Sequence, residues 1–170
     1  IYGMPYTASG VLRINPKTDS VQVLGHFPWE GYKWHGGLLA HSTGVIYAFP
    51  AHSNEVLCVD TNPNIELDED RISTIPIERH DGDTDCSSLT YKWLGGSYGA
   101  DGCIYGMPSD ATSILRIDPI TNKATTFGKV SAAKNKWQGG ILSNIDKCVY
   151  AVPADNDCVL RIDTDPDTPL

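Results

Sequence analysis

The chain has 170 residues, 41% of them apolar, and a formal net charge of −8. That apolar share supports a globular core and excludes a disordered segment. The acidic balance excludes non-specific nucleic-acid binding and adhesion to an anionic membrane surface, and no apolar run approaches the ~20 residues of a membrane-spanning helix.

The chain begins at Ile1 with IYGMPYTASGVLRINPKTDSVQVLG. Three short β-branched or aromatic runs lie between Gly, Pro, Asn and Asp clusters, which predicts three strands joined by tight turns. Related segments follow: VIYAFPAHSNEVLCVDTNPN from Val45, CIYGMPSDATSILRIDPITNKATTFG from Cys103 and CVYAVPADNDCVLRIDTDPDT from Cys148. The last three are preceded by Lys-Trp-x-Gly-Gly, starting at Lys33, Lys92 and Lys136. Tyr2, Tyr47, Tyr105 and Tyr150 stand 45, 58 and 45 residues apart, so the middle step carries about 13 extra residues.

Each unit reads as strand A at Trp-x-Gly-Gly, strand B at Val/Ile-Tyr-Gly/Ala-x-Pro and strand C at Val/Ile-Leu-Arg-Ile-Asp. Strand D is typified by Ser20–Leu24 and Ala124–Phe127. No segment has a helical apolar period of useful length. A period near 45 residues with four strands predicts an all-β fold, a β-propeller of four-stranded antiparallel blades. About four blade units are expected, over residues 1–30, 31–90, 91–134 and 135–170, forming one propeller or a fragment of one. The first unit lacks strand A and the last lacks a good strand D. Two partial end units suggest a chain that continues, or open blade ends on which a protein partner or a second copy packs.

The shared residues have structural roles. Trp34, Trp93 and Trp137 are expected to fill the space between adjacent blades. The glycine pairs let inner strands approach closely, and Pro5, Pro50, Pro108 and Pro153 end strand B. Asn15, Asp60, Asp118 and Asp163 set the turn into strand D by accepting backbone N–H bonds. Arg13, Arg116 and Arg161 recur on strand C and read as a ring of isolated cations.

Lys-Trp-x-Gly-Gly and Ile-Tyr-Gly-x-Pro, followed by Leu-Arg-Ile-Asp-Pro, resemble repeats of uncharacterised propeller proteins of marine algae and other protists. The last motif also resembles blades of the NHL, YVTN and streptogramin-lyase propeller group. That resemblance implies a fold; its members include lyases, scaffolds and binding modules.

Positions that break the repeat are the functional candidates. The insertion at 62–90 is expected to protrude as a loop with Ile72–Ile77 as the only regular strand inside it, and it is acidic, with Glu66, Asp68, Glu69 and Asp70, then Asp81, Asp83 and Asp85. Alternate aspartates can offer several oxygens to calcium, the one cofactor the sequence points to. Cys86 and Lys92 stand where an EF-hand needs Gly and Glu, so a solvated acidic loop is the plainer reading. His35 replaces Leu94 and Gln138 of the other repeats, and is a candidate for facing a central channel. The five cysteines, Cys58, Cys86, Cys103, Cys148 and Cys158, form no C-x-x-C pair and read as reduced thiols rather than a zinc site. No convergent catalytic set is visible, which favours a non-enzymatic binding or scaffold module, the alternative being a lyase or hydrolase with a metal in the channel.

Overall fold

The computed structural model describes residues 1–27, 31–80 and 90–168. The first repeat forms β1 (Tyr2–Gly3), β2 (Val11–Asn15) and β3 (Ser20–Leu24). The second forms β4 (Trp34–Ala40), β5 (Val45–Pro50), β6 (Glu55–Asp60) and β7 (Ile72–Glu78). The third forms β8 (Trp93–Tyr98), β9 (Ile104–Pro108), β10 (Ile114–Asp118) and β11 (Lys123–Phe127), and the last β12 (Trp137–Leu142), β13 (Cys148–Pro153) and β14 (Leu160–Asp163). Each repeat is an antiparallel meander. The architecture is that of an incomplete β-propeller, with three strands in the first and last sheets and four in each middle one. No helix among the described residues is long and apolar enough to cross a membrane.

Strand side chains alternate between the two faces of a sheet, and here both faces of the middle sheets are buried. On β6, Leu57 and Val59 join Val11, Leu24 and Trp34 in the seam toward the first sheet. Val56 and Cys58 on the same strand join Trp93, Leu115 and Ile117 in the seam toward the third sheet. A third seam gathers Tyr105, Met107 and Ile114 against Trp137, Val149 and Ile162. Each repeat tryptophan therefore lies buried in the seam between its own sheet and the preceding one. Its indole N–H donates to a carbonyl within its own repeat: Trp34 to Glu55 (2.8 Å), Trp93 to Ser113 (2.9 Å) and Trp137 to Cys158 (2.8 Å).

The two glycines after each tryptophan do different jobs. Gly36, Gly95 and Gly139 have φ of 73°, 71° and 69°, the left-handed region. They sit in the register shift between Trp and the second glycine, a bulge that glycine forms at least cost. The second glycine leaves room for the preceding sheet. A Cβ on Gly37 would lie 3.2 Å from Met4 Cγ, and one on Gly96 would lie 2.4 Å from Phe49 Cζ. Met4, Phe49 and Met107, the variable residues of the first three Tyr-Gly/Ala-x-Pro motifs, thus each plug the next repeat's glycine.

The four turn residues act alike: Asn15, Asp60, Asp118 and Asp163 each accept the N–H of the residue two places on, at 2.8–3.1 Å. The strand C arginines are not isolated cations, which corrects the sequence expectation. Arg13 pairs with Asp68 (3.0 Å), Arg116 with Asp101 (3.2 Å) and Arg161 with Asp146 (3.8 Å). The missing signal was spatial, because Asp68 lies in the insertion and Asp101 and Asp146 lie in the turns before strand B.

The first part of the insertion is folded against its sheet rather than protruding. A short 3-10 turn, Asp68–Arg71, leads into β7, which completes the second sheet. Arg71 is buried and its guanidinium donates to the carbonyls of Asn62 and Ile65 (both 2.6 Å). Beyond its antiparallel pairing with β6, β7 pairs in parallel with β11 through Ile77–Ala124 and Glu78–Thr125. The two middle repeats thereby form one eight-stranded sheet.

Candidate site at the mouth of the inner strands

Strand A begins and strand B ends at the same edge of each sheet, as the Trp34–Pro50, Trp93–Pro108 and Trp137–Pro153 pairings show. The residue before each tryptophan is a lysine with a relative exposure of 1%, at Lys33, Lys92 and Lys136 alike. Their backbones stitch the sheets together. The N–H groups donate across the seams to Tyr6, Ala51 and Ser109 (2.7, 2.9 and 3.1 Å), while their carbonyls accept from Ala51, Ser109 and Ala154 (2.9 Å each).

The ammonium groups reinforce the same seams. Lys92 Nζ donates to His52 O (2.9 Å). Lys136 Nζ donates to Ser109 O (2.7 Å), Ala111 O (3.0 Å) and Ala133 O (2.7 Å). Burial pushes the Lys136 pKa below the usual lysine value, and the Asp110 carboxylate partly opposes that. Lys33 is lowered by burial as well.

An aromatic cluster lies on this edge. Tyr6 stacks on Tyr32 with ring centres 4.6 Å apart, and Tyr91 stacks on Tyr32 at 5.5 Å. His35 meets Tyr6 edge-on at 5.5 Å, and His52 meets Tyr91 at 4.7 Å. Burial, then the neighbouring phenols, raise the Tyr6 pKa; Tyr91 is raised by burial, Tyr32 and Asp110. Both phenols keep their protons at neutral pH. Burial and the Lys92 ammonium lower the His52 pKa.

A cavity of about 420 Å³ opens beside this cluster. Its inner wall is formed by His35, Leu94 and Gln138, the variable residues of three successive Lys-Trp-x-Gly-Gly motifs. Tyr6 and Tyr91 line it, as do Ser109, Asp110, Lys134 and Asn135. Asp110 Oδ1 accepts the Asn135 N–H (2.7 Å), and the Asn135 side-chain amide donates to Asp155 (2.8 Å), so this wall is held in place. Ser109 is 1% exposed. Among the described residues, neither Ser109 Oγ nor His35 Nδ1 has a hydrogen-bond partner. A second cavity, of about 560 Å³, shares Tyr6 and His35 and runs down past Met4, Trp34 and Leu39.

His35 therefore lies with its two repeat counterparts on one cavity wall. Asp81, Asp83 and Asp85 lie outside the described residues, as does Cys86. Among the described residues, no three His, Cys, Asp or Glu side chains are grouped to hold a metal. Cys58, Cys103 and Cys148 are buried free thiols, and Cys158 is an exposed one. Tyr6, Tyr91, Ser109 and Asp110 were not singled out from sequence. Their signal was disagreement between repeats: Tyr6 aligns with Ala51, Ser109 and Ala154, and Tyr91 with Tyr32 and Asn135.

Comparison with known proteins supports the architecture. No family model matches the chain, and no curated protein does. Among solved structures, virginiamycin B lyase from Staphylococcus aureus is similar over 96% of this chain and 48% of its own, at 16% identity and a TM-score of 0.66. An auxiliary nutrient binding protein from Bacteroides thetaiotaomicron is similar over 88% of this chain and 42% of its own, at 14% identity and a TM-score of 0.56. The Cps50 (Swd1) β-propeller domain of Myceliophteria thermophila is similar over 92% and 48%, at 11% identity and 0.55. The chain spans about half the length of each. At these identities the likeness establishes the β-propeller fold and nothing finer.

Proposed function

We propose that the chain is a non-enzymatic binding module that takes a small organic ligand at the mouth of its inner strands. One observation carries this reading: the cavity is walled by side chains from all four repeats, with the phenols of Tyr6 and Tyr91 beside the polar side chains of Asp110, Asn135 and Gln138. A concave site with phenol walls and a few placed polar groups suits ligand binding. A fragment screen by protein-observed NMR tests it. Bound fragments should shift the amides of Tyr91, Ser109 and Asn135 together; a screen in which no fragment does so overturns the proposal.

A second reading, a propeller enzyme of the lyase or hydrolase type, is favoured by the place of the His35 imidazole on the wall shared by both cavities. Loss of turnover without loss of binding in His35→Gln would support it; Gln138 shows that the repeat accepts that residue. The outer face of the last sheet bears on partners. Ile141, Val152 and Val159 are all exposed there. Met107 and Ile114, the third-sheet counterparts of Val152 and Val159, pack into a seam, which supports a protein surface covering this face.

A further inference from the structure

Resting on the binding reading above, we infer that the ligand of this cavity is a neutral saccharide, set against the phenols of Tyr6 and Tyr91 and hydrogen-bonded by Asp110, Asn135 and Gln138. Three features of the site narrow the chemistry. The first is charge. The cavity lining carries one carboxylate, Asp110, and one ammonium, Lys134. The buried Lys136 ammonium below it is already shared among three carbonyls. A phosphate-bearing ligand would want an excess of cations, and a polyamine an excess of carboxylates. A ligand without net charge meets neither conflict.

The second is the kind of hydrogen bonding on offer. The Gln138 side-chain amide offers both a donor and an acceptor, and the carboxylate of Asp110 and the amide of Asn135 add fixed acceptors and donors. Hydroxyl groups on the ligand answer such a mixture best, because each can act in both senses. A purely aromatic or aliphatic ligand would answer none of these groups.

The third is the rigid aromatic wall. Tyr6 and Tyr91 are both braced on Tyr32, so little side-chain freedom is lost when a ligand packs against them. A pyranose ring has apolar C–H faces between rims of hydroxyls. Phenol walls beside hydroxyl-matching groups fit that shape. The adjoining cavity past Met4 and Trp34 gives room for a second sugar unit.

The test uses a glycan array of neutral mono- and oligosaccharides, followed by NMR titration of the array positives. Tetramethylammonium, inorganic phosphate and benzamide serve as counter-probes. Two variants accompany the wild type. Tyr91 has φ of 53°, and its equivalent Asn135 has φ of 52°. Tyr91→Asn therefore removes the ring while keeping a residue that tolerates this backbone. Gln138→Leu removes the amide, and Leu94 shows that the repeat accepts that residue. Thermal midpoints are measured for both, so that lost binding is not mistaken for unfolding. At least one neutral saccharide should shift Tyr91, Ser109 and Asn135 amides saturably. Tyr91→Asn should weaken it tenfold or more, and Gln138→Leu several-fold. If no saccharide shifts these amides but a counter-probe does, the saccharide inference falls and the binding reading stands. If none of the probes does, both fall. Saccharide binding that survives intact in both folded variants also overturns the inference, since it lies elsewhere on the protein.

Discussion

The third sheet and the last sheet carry nearly the same motifs in very different surroundings. In the third, Met107 is 0% exposed and Ile114 6%, because the last sheet covers them. In the last, the corresponding Val152 is 59% exposed and Val159 55%. The strands themselves are equally regular in both. The motif therefore specifies a sheet with two adhesive faces, and stabilisation is realised only where two such faces meet. As in other stacked repeats, the seam is the unit of stability.

Four substitutions and one change of condition would break or sharpen this contrast. The largest effect is expected from Trp93→Ala, which empties the seam between the fused middle sheets. It should cost about 3–5 kcal/mol, read as a lower urea midpoint. Next comes the matched pair Met107→Ala and Val152→Ala. The first should cost about 2–5 kcal/mol, and the second no more than ~0.5 kcal/mol. Equal losses in the two variants would show that the outer face of the last sheet is covered in solution.

Lys136→Met is expected to cost less, about 1–3 kcal/mol, because the apolar stem still packs while three carbonyls, two of them buried, lose a donor. Unchanged stability in urea would mean that the seam does not depend on the ammonium. The smallest effect at neutral pH concerns the buried thiols and phenol. Burial raises Cys58 and Cys103 from 9.0 to about 12, and Tyr47 from 10.0 to about 12. Above their unfolded pKa values the unfolded chain releases protons that the folded chain retains. The stabilisation is complete below pH ~9 and is lost progressively toward pH 12. Urea titrations at rising pH should show the midpoint falling in that window, and Cys58 and Cys103 should react with thiol reagents only on unfolding.

Much of the fold was legible because the repeat prints each local rule several times. Trp-x-Gly-Gly, the strand-ending prolines and the Asx turns each appear where short-range chemistry demands them. The burial of Lys33, Lys92 and Lys136 was not legible in the same way. A lysine is ordinarily a surface residue, and its constant place before tryptophan was the only hint. The β7–β11 pairing and the Arg–Asp pairs join residues far apart in sequence, which no local pattern encodes. The β-branched run Ile72–Ile77 marked a strand inside the acidic insertion, but not that it would complete the second sheet. The candidate site was hardest to read, since it is built from positions where the repeats disagree: Tyr6, His35, Tyr91, Ser109 and Asp110. Only His35 stood out beforehand, because its replacement changes the chemistry within an otherwise uniform motif.

The parallel join between β7 and β11 sets how the protein opens. The second and third repeats share one continuous ladder, from β4 at one edge to β8 at the other. Loosening either therefore disturbs the other, whereas among the described residues the first and last sheets are held by their seams without a ladder bond of that kind. Amide protons on β6, β9 and β10 should exchange with deuterium as one slow set, through the same rare excursion. Those on β2 and β14 should exchange earlier, through partial openings that leave the centre closed. One pair of strands thus divides the molecule into a durable middle and two separable ends, and the candidate cavity, which draws Tyr6 from the first repeat and Gln138 from the last, straddles that division.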